Sequence, residues 1–92
     1  LSPEAAEWLV DKQIRLLGVD AITPDLPGPL RAPGTFEHPI HQIILGNDIL
    51  IVENLGSGLK DIVGKRAFFG FLPTKIVGAD GAPITAFAEV KE

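Results

Sequence analysis

Prolines divide this chain into parts that can and cannot hold regular structure. Five of its eight prolines lie within sixteen residues, at positions 24, 27, 29, 33 and 39. Because proline fixes φ and lacks an amide hydrogen, neither a helix nor a central strand can persist through such a segment. The pattern predicts a loop with a stiff backbone, and loops of this kind often carry binding residues.

The segment before the loop predicts a helix followed by a strand. Ser2 is a suitable N-cap, Pro3 suits the first helical position, and a helical apolar stripe continues to about Lys12. We expect a strand over residues 14–20, because Gly18 and the β-branched residue after it fit a helix interior poorly. The alternative is that the first helix continues into this segment.

The segment after the loop predicts a second short helix and a strand. The helix is expected over residues 39–45, ending at Gly46 and Asn47, which both tolerate a left-handed cap. Residues 49–52 are four consecutive apolar residues, a pattern typical of a strand covered on both faces. The rest of the chain predicts three more elements: one helical turn within 55–64, a strand over 67–72 and a closing strand over 84–90.

Composition indicates that the chain has more apolar surface than it can bury alone. Hydrophobic residues make up 46% of the 92 residues and charged residues only 22%. A domain of this size buries only about 60% of the surface that its unfolded chain exposes. We therefore expect apolar residues such as Trp8 and Phe68 to lie in a core or an interface, against another chain or a missing segment. The start at Leu1 and the lack of methionine also suggest a piece of a longer protein.

Charge and hydropathy argue against several classes of partner. The formal net charge is −4, and the basic residues are scattered, so no positive patch for nucleic acid is expected. The longest apolar runs are about four residues, too short for a transmembrane helix or a signal sequence. The chain has no cysteine, which is compatible with a reducing compartment, and we expect a cytoplasmic protein.

Two ionisable residues bracket the apolar segment that follows the loop. His41 lies in the first turn of the predicted second helix, and Glu53 follows the strand at 49–52. A helix over residues 41–45 advances the chain by only about 6 Å. A strand over residues 49–53 can bring the chain back by about 13 Å. The two side chains could therefore meet, and imidazole with carboxylate suits Zn²⁺ or Mn²⁺. The alternatives are a His41 bonded to a backbone carbonyl and a Glu53 paired with a basic residue.

The order of several short motifs resembles the cyclase family of metal-dependent hydrolases, which includes kynurenine formamidase (arylformamidase) and isatin hydrolase. The motifs are individually weak but follow in the family's order across nearly the whole chain. They are LSPEAAEWL (1–9), LGVD (17–20), His41 with IIL (43–45), IVENL (51–55), LPTKI (72–76) and GADGAP (78–83).

The resemblance implies an α/β fold of the swivelling β/β/α type, with residues 1–92 as the C-terminal part of one such domain. The family binds metal mainly through a His-x-Gly-Thr-His-x-Asp-x-Pro-x-His motif in its N-terminal part, which this chain lacks. Its C-terminal part supplies one His and one Glu, as ligands or as general acid and base, and these fall on His41 and Glu53. A family Ser two residues before a loop Asp corresponds to Thr23 before Asp25, so Thr23 is a candidate substrate contact. His38 is expected to be a helix-capping or loop residue.

The function implied by the resemblance is metal-dependent hydrolysis of a C–N bond. In such enzymes, water activated by a divalent metal, here Zn or Mn, attacks an aryl formamide or a cyclic amide. The expected partners are a small-molecule substrate, the N-terminal part as a separate chain or missing segment, and further copies in a homo-oligomer. Two alternatives remain: a non-catalytic binding or assembly module of the same fold, and a metal-dependent cyclase or dehydratase.

Overall fold

The computed structural model describes residues 1–34 and 37–91 and has a mixed α/β fold in two compact units. The first unit is Leu1–Gly56 and the second is Ser57–Glu92. Residues 35 and 36 belong to the predicted proline-rich loop but lie outside the described residues. The described part of that loop contains one regular element, a single 3₁₀ turn at Gly28–Leu30.

The chain starts with the predicted helix, α1, at Pro3–Asp11. Ser2 is its N-cap, and the Ser2 hydroxyl accepts a hydrogen bond from the backbone N–H of Ala5 at 3.2 Å. Pro3 occupies the first helical position, where the missing N–H costs nothing. The prediction of a capped helix to about Lys12 is confirmed.

A short parallel pair of strands follows. Strand β1 (Leu16–Gly18) pairs with β2 (Leu50–Val52). The strand predicted over residues 14–20 is present but shorter than predicted, and the alternative of a continuing helix is wrong. The predicted cover on both faces of the second strand is also wrong within this chain, since Leu50 is 64% exposed.

Helix α2 (Pro39–Gly46) lies between these strands in the chain and packs against α1 and β2. The core of this unit consists of residues that are at most 4% exposed: Ala6, Ile40, Ile44 and Ile49. The predicted helix is confirmed, but its left-handed residue is Asp48, with φ of 58°, rather than Gly46 or Asn47. Asn47 instead donates its side-chain amide to the carbonyl of Ile43 at 2.8 Å.

The second unit is a β-hairpin preceded by a 3₁₀ segment. The 3₁₀ segment is Ser57–Ile62, and the antiparallel strands are β3 (Phe68–Pro73) and β4 (Ile84–Glu89). These elements match the predicted turn and strands closely. No described residue of this unit is buried, and Phe68 is 66% exposed, so Phe68 is not a core residue within this chain.

The two helices are short. Helix α1 has nine residues and α2 has eight, whereas a bilayer core requires about 20. Neither can cross a membrane, and no other helix of the described residues is a candidate.

Candidate functional site

The structure brings His41 and Glu53 into contact. His41 is in the first turn of α2, and Glu53 follows the last residue of β2. The Nε2 atom of His41 lies 3.1 Å from Oε1 of Glu53, and both side chains remain about one-third exposed. The helix, turn and strand between them thus return the chain to its starting point, as their lengths predicted.

A third residue, Asp25 of the proline-rich loop, completes the arrangement. Its side chain is 2% exposed. Oδ1 accepts the backbone N–H of Ile40 at 2.9 Å, and Oδ2 accepts the backbone N–H of His41 at 3.1 Å. Oδ2 also lies 2.6 Å from Nδ1 of His41. His41 is therefore held between two carboxylates, one buried and one exposed.

The position of Asp25 follows from the way in which α2 begins. The first N–H groups of a helix have no intrahelical partner. His38, expected to be a helix-capping or loop residue, occupies the N-cap position, and its carbonyl accepts the backbone N–H of Gln42 at 3.0 Å, but its side chain makes no capping bond. Asp25 supplies the cap from fifteen residues earlier in the chain, and its negative charge also suits the positive end of the helix dipole.

These contacts determine the ionisation of Asp25. Burial alone raises the pKa of the Asp25 carboxyl, but the hydrogen bonds from His41 and from the backbone N–H groups of Ile40 and His41 more than offset it. The pKa therefore lies below its ordinary value, and Asp25 is ionised near neutral pH. An ionised carboxylate only accepts, so Nδ1 of His41 must carry the proton in this bond.

Thr23 lies in the same region. Its hydroxyl oxygen accepts the backbone N–H of Asp25 at 3.2 Å, which leaves the O–H free to donate elsewhere. Thr23, His41 and Glu53 line one open cleft of about 590 Å³. The bond to Thr23 also helps to orient the loop at Asp25, and the substrate-binding role of Thr23 stays a prediction.

The cleft is also lined by apolar residues and by one basic residue. Ile22, Pro27 and Pro29 provide apolar surface. Arg31 donates from Nε to the carbonyl of Leu26 at 2.6 Å, and its two terminal nitrogens lie 3.1 and 3.2 Å from the two ring nitrogens of His38. The guanidinium only donates, so at most one ring nitrogen of His38 can accept from it.

Two sets of side chains offer ligands for a divalent metal. Asp25, His38 and His41 place ligand atoms within 4.8 Å of one another. However, both oxygens of Asp25 already accept hydrogen bonds, and the cationic Arg31 faces both ring nitrogens of His38.

The second set, His41 Nε2 with Glu53 Oε1, fits a metal better. Both atoms face an open cleft, and their separation of 3.1 Å is near the distance of about 3.3 Å between neighbouring N and O ligands of a tetrahedral zinc. Metal-ligating histidines usually donate their other ring N–H to a carboxylate, as His41 does to Asp25.

Sequence reasoning singled out His41, Glu53 and Thr23 but missed the role of Asp25. A signal was present: α2 begins at His38-Pro39 without Ser, Thr, Asp or Asn at the N-cap, so an acceptor had to come from elsewhere. The sequence gives no indication of which loop residue would supply it.

Comparison with known proteins supports the fold but not a detailed function. No family model matches the chain. An uncharacterized protein of Methanocaldococcus jannaschii is 39% identical over 80 residues, which is 87% of this chain and 37% of that protein. A solved structure of a potential metal-dependent hydrolase with cyclase activity is 33% identical with a TM-score of 0.77, over 95% of this chain and 39% of the other.

This chain therefore spans about two-fifths of the length of each of these two proteins. The structural likeness supports a cyclase-type hydrolase fold, of which these 92 residues correspond to a part.

Proposed function

We propose that this chain is the C-terminal part of a metal-dependent hydrolase that cleaves a C–N bond in a small amide. The observation that carries the proposal is the His41–Glu53 pair, with Nε2 and Oε1 3.1 Å apart in an open cleft. The buried carboxylate of Asp25 on the other ring nitrogen gives the pair the pattern of a metal-ligating histidine.

The donor set favours Zn²⁺ or Mn²⁺, since imidazole nitrogen and carboxylate oxygen suit both ions. A divalent metal bound there would polarise a substrate carbonyl and lower the pKa of a water molecule. Glu53 has a second carboxylate oxygen, which can take up a proton from the reacting water or return it to the leaving nitrogen. The Thr23 hydroxyl is free to donate to a substrate oxygen, because its bond to Asp25 uses only its acceptor capacity.

The substrate class is inferred from the family resemblance and agrees with the cleft. An aryl formamide or a cyclic amide has a flat apolar body and one polar reacting group. Ile22, Pro27 and Pro29 offer an apolar wall for such a body beside His41 and Glu53. Two ligands do not make a tight site, so we propose that an N-terminal segment supplies the others and that the complete protein is a homo-oligomer.

Reconstitution tests this proposal. The chain is co-expressed with an N-terminal segment that carries the His-x-Gly-Thr-His-x-Asp-x-Pro-x-His motif, and metal content and formanilide hydrolysis are measured. We expect His41→Ala and Glu53→Gln to depress turnover far more than stability. Glu7→Gln, an exposed change on α1, is the matched control and should leave both unchanged. Full turnover in both site variants, with only stability lost, would show that the site is wrongly assigned.

A non-catalytic module is the second candidate, and one observation favours it. His41 and Glu53 lie at a distance at which they can form an ion pair with each other without any metal. A protein of this kind, once reconstituted, would purify without stoichiometric metal and would hydrolyse no amide. A cyclase or dehydratase would use the same residues and differ only in its product, which mass analysis of the reaction mixture would identify.

A further inference from the structure

We infer that Asp25 is a positioning residue that prepares His41 to bind metal, and that this role is separable from its role as the cap of α2. The inference deepens the proposed function, because it concerns the same two ligands. It rests on the contacts of a single buried side chain with the backbone and with the ring of His41.

The first step is the rigidity of the Asp25 carboxylate. It accepts three hydrogen bonds at 2.6–3.1 Å and is 2% exposed, so it has no freedom to reorient towards solvent. Two of these bonds come from the helix backbone and one comes from the ring of His41. The ring is thereby held against the start of the helix that carries it.

The second step is a competition for one proton. A neutral imidazole carries a single N–H, and the His41 ring has a carboxylate at each nitrogen. Asp25 lies closer, at 2.6 Å, than Glu53, at 3.1 Å, and the Asp25 bond is shielded from water. The proton therefore resides on Nδ1, and the lone pair of Nε2 faces Glu53. Without Asp25, Glu53 would hold the proton on Nε2 and block that atom as a ligand.

The third step is that the cap can be replaced without restoring the carboxylate. His38 occupies the N-cap position of α2 without capping it. Serine is among the best N-cap residues and bonds the same early N–H groups of a helix. When Asp25 is also replaced, His38→Ser should therefore supply the helix cap locally, while the ring of His41 remains without its carboxylate partner.

The experiment compares wild type, Asp25→Leu, His38→Ser and the double variant. Asp25→Leu keeps a side chain of similar length but removes both acceptor oxygens, so nothing in it can accept from Nδ1. Long-range ¹H–¹⁵N spectra of the metal-free chain, at a pH where titration shows a neutral His41 ring, locate the ring proton. Hydrogen exchange reports the protection of α2, and zinc affinity is measured on the reconstituted protein.

We expect the wild type and His38→Ser to carry the proton on Nδ1. In Asp25→Leu the proton should move to Nε2, α2 should lose protection and zinc should bind about 10- to 100-fold more weakly. The double variant should regain helix protection but neither the Nδ1 proton nor the zinc affinity.

Two results would overturn the inference: a proton that stays on Nδ1 in Asp25→Leu, or recovery of zinc affinity in the double variant. The second result would mean that Asp25 acts only as a cap. Failure of the wild type to bind zinc would instead refute the proposed function, and the proton position in the metal-free chain would still decide the inference.

Discussion

At the scale of single residues, the Asp25 carboxylate joins the proline-rich loop to the start of α2. Because the bonds to its ionised form outweigh its burial, its pKa lies below the ordinary value. A group of this kind contributes stability that is fully present above its unfolded pKa of about 3.9. That contribution is lost as the pH falls through the pKa of the folded state.

Because the stability that Asp25 contributes is lost at low pH, a prediction follows for acid unfolding. The groups that face Asp25 are the His41 ring, the two backbone N–H groups and, at 4.0 Å, the ring of His38. Asp25→Asn should lower the free energy of unfolding at neutral pH by about 2 kcal/mol. The variant should also lose less stability than the wild type as the pH falls from about 5 to about 2. Urea unfolding across this range checks both, with the exposed Asp61→Asn as control, and parallel acid losses in variant and wild type would contradict the prediction.

A second prediction separates the two possible ligand sets. In the reconstituted protein, Glu53→Gln should weaken zinc binding by at least about tenfold, because it removes a ligand charge. His38→Ala should change the affinity by less than about threefold, because Arg31 rather than a metal faces its ring nitrogens. Calorimetric titration measures both, and the reverse ranking would favour the Asp25, His38 and His41 set.

The contact between two site residues could be predicted only where regular elements join them in the sequence. His41 and Glu53 are joined by one helix, one turn and one strand, whose lengths follow from fixed rises per residue. Their meeting could therefore be anticipated. Asp25 reaches His41 across sixteen residues of a proline-rich loop, and no periodicity specifies the path of such a loop. Its role became evident only from the three-dimensional contacts.

At the scale of elements, the β3–β4 hairpin depends on one close approach between a ring and a glycine. Gly70 of β3 lies opposite Phe87 of β4. A Cβ at position 70 would overlap the ring of Phe87, so the ring occupies the space that a side chain would need. The aromatic ring thus covers a glycine that would otherwise weaken the strand.

This contact predicts different costs for two glycine substitutions. Gly70→Ala should force the Phe87 ring away and weaken the hairpin by about 1 kcal/mol. Gly81→Ala, in the turn between the strands, places its Cβ in open space and should be neutral or slightly stabilising. Hydrogen exchange of the β3 and β4 amides measures both changes. Equal effects of the two variants would show that the ring contact contributes nothing.

The same contrast applies to the elements: their ends depend on neighbouring residues, whereas their burial depends on distant ones. Ser2 and Pro3 identified the start of α1, because capping acts within one turn. The second strand was expected to be covered on both faces, yet Leu50 is exposed. Four consecutive apolar residues indicate that a strand can be buried, but they do not identify the element that covers it.

At the scale of the whole molecule, the chain exposes apolar side chains that its own elements do not cover. Trp8 is 57% exposed, Leu50 64% and Phe68 66%. The chain also spans only about two-fifths of each of the two proteins compared with it. Uncovered apolar surface of this kind commonly marks a site of association.

We therefore expect the N-terminal segment, or further copies of the protein, to bury part of this apolar surface. Trp8 is the only tryptophan, so its fluorescence reports on one place on α1. Reconstitution with the N-terminal segment, or assembly into an oligomer, should shift its emission to shorter wavelength and reduce quenching by acrylamide. Unchanged emission and quenching in the assembled protein would show that this face of α1 remains in solvent.

The central claim is that His41 is a metal ligand through Nε2 while Asp25 holds Nδ1. The most direct test is ¹¹³Cd NMR of the reconstituted protein, with ¹⁵N-labelled histidine and Cd²⁺ in place of the native metal. We expect one-bond coupling between cadmium and Nε2 of His41, with the proton retained on Nδ1. Absence of coupling to His41, or coupling to a ring nitrogen of His38, would contradict it.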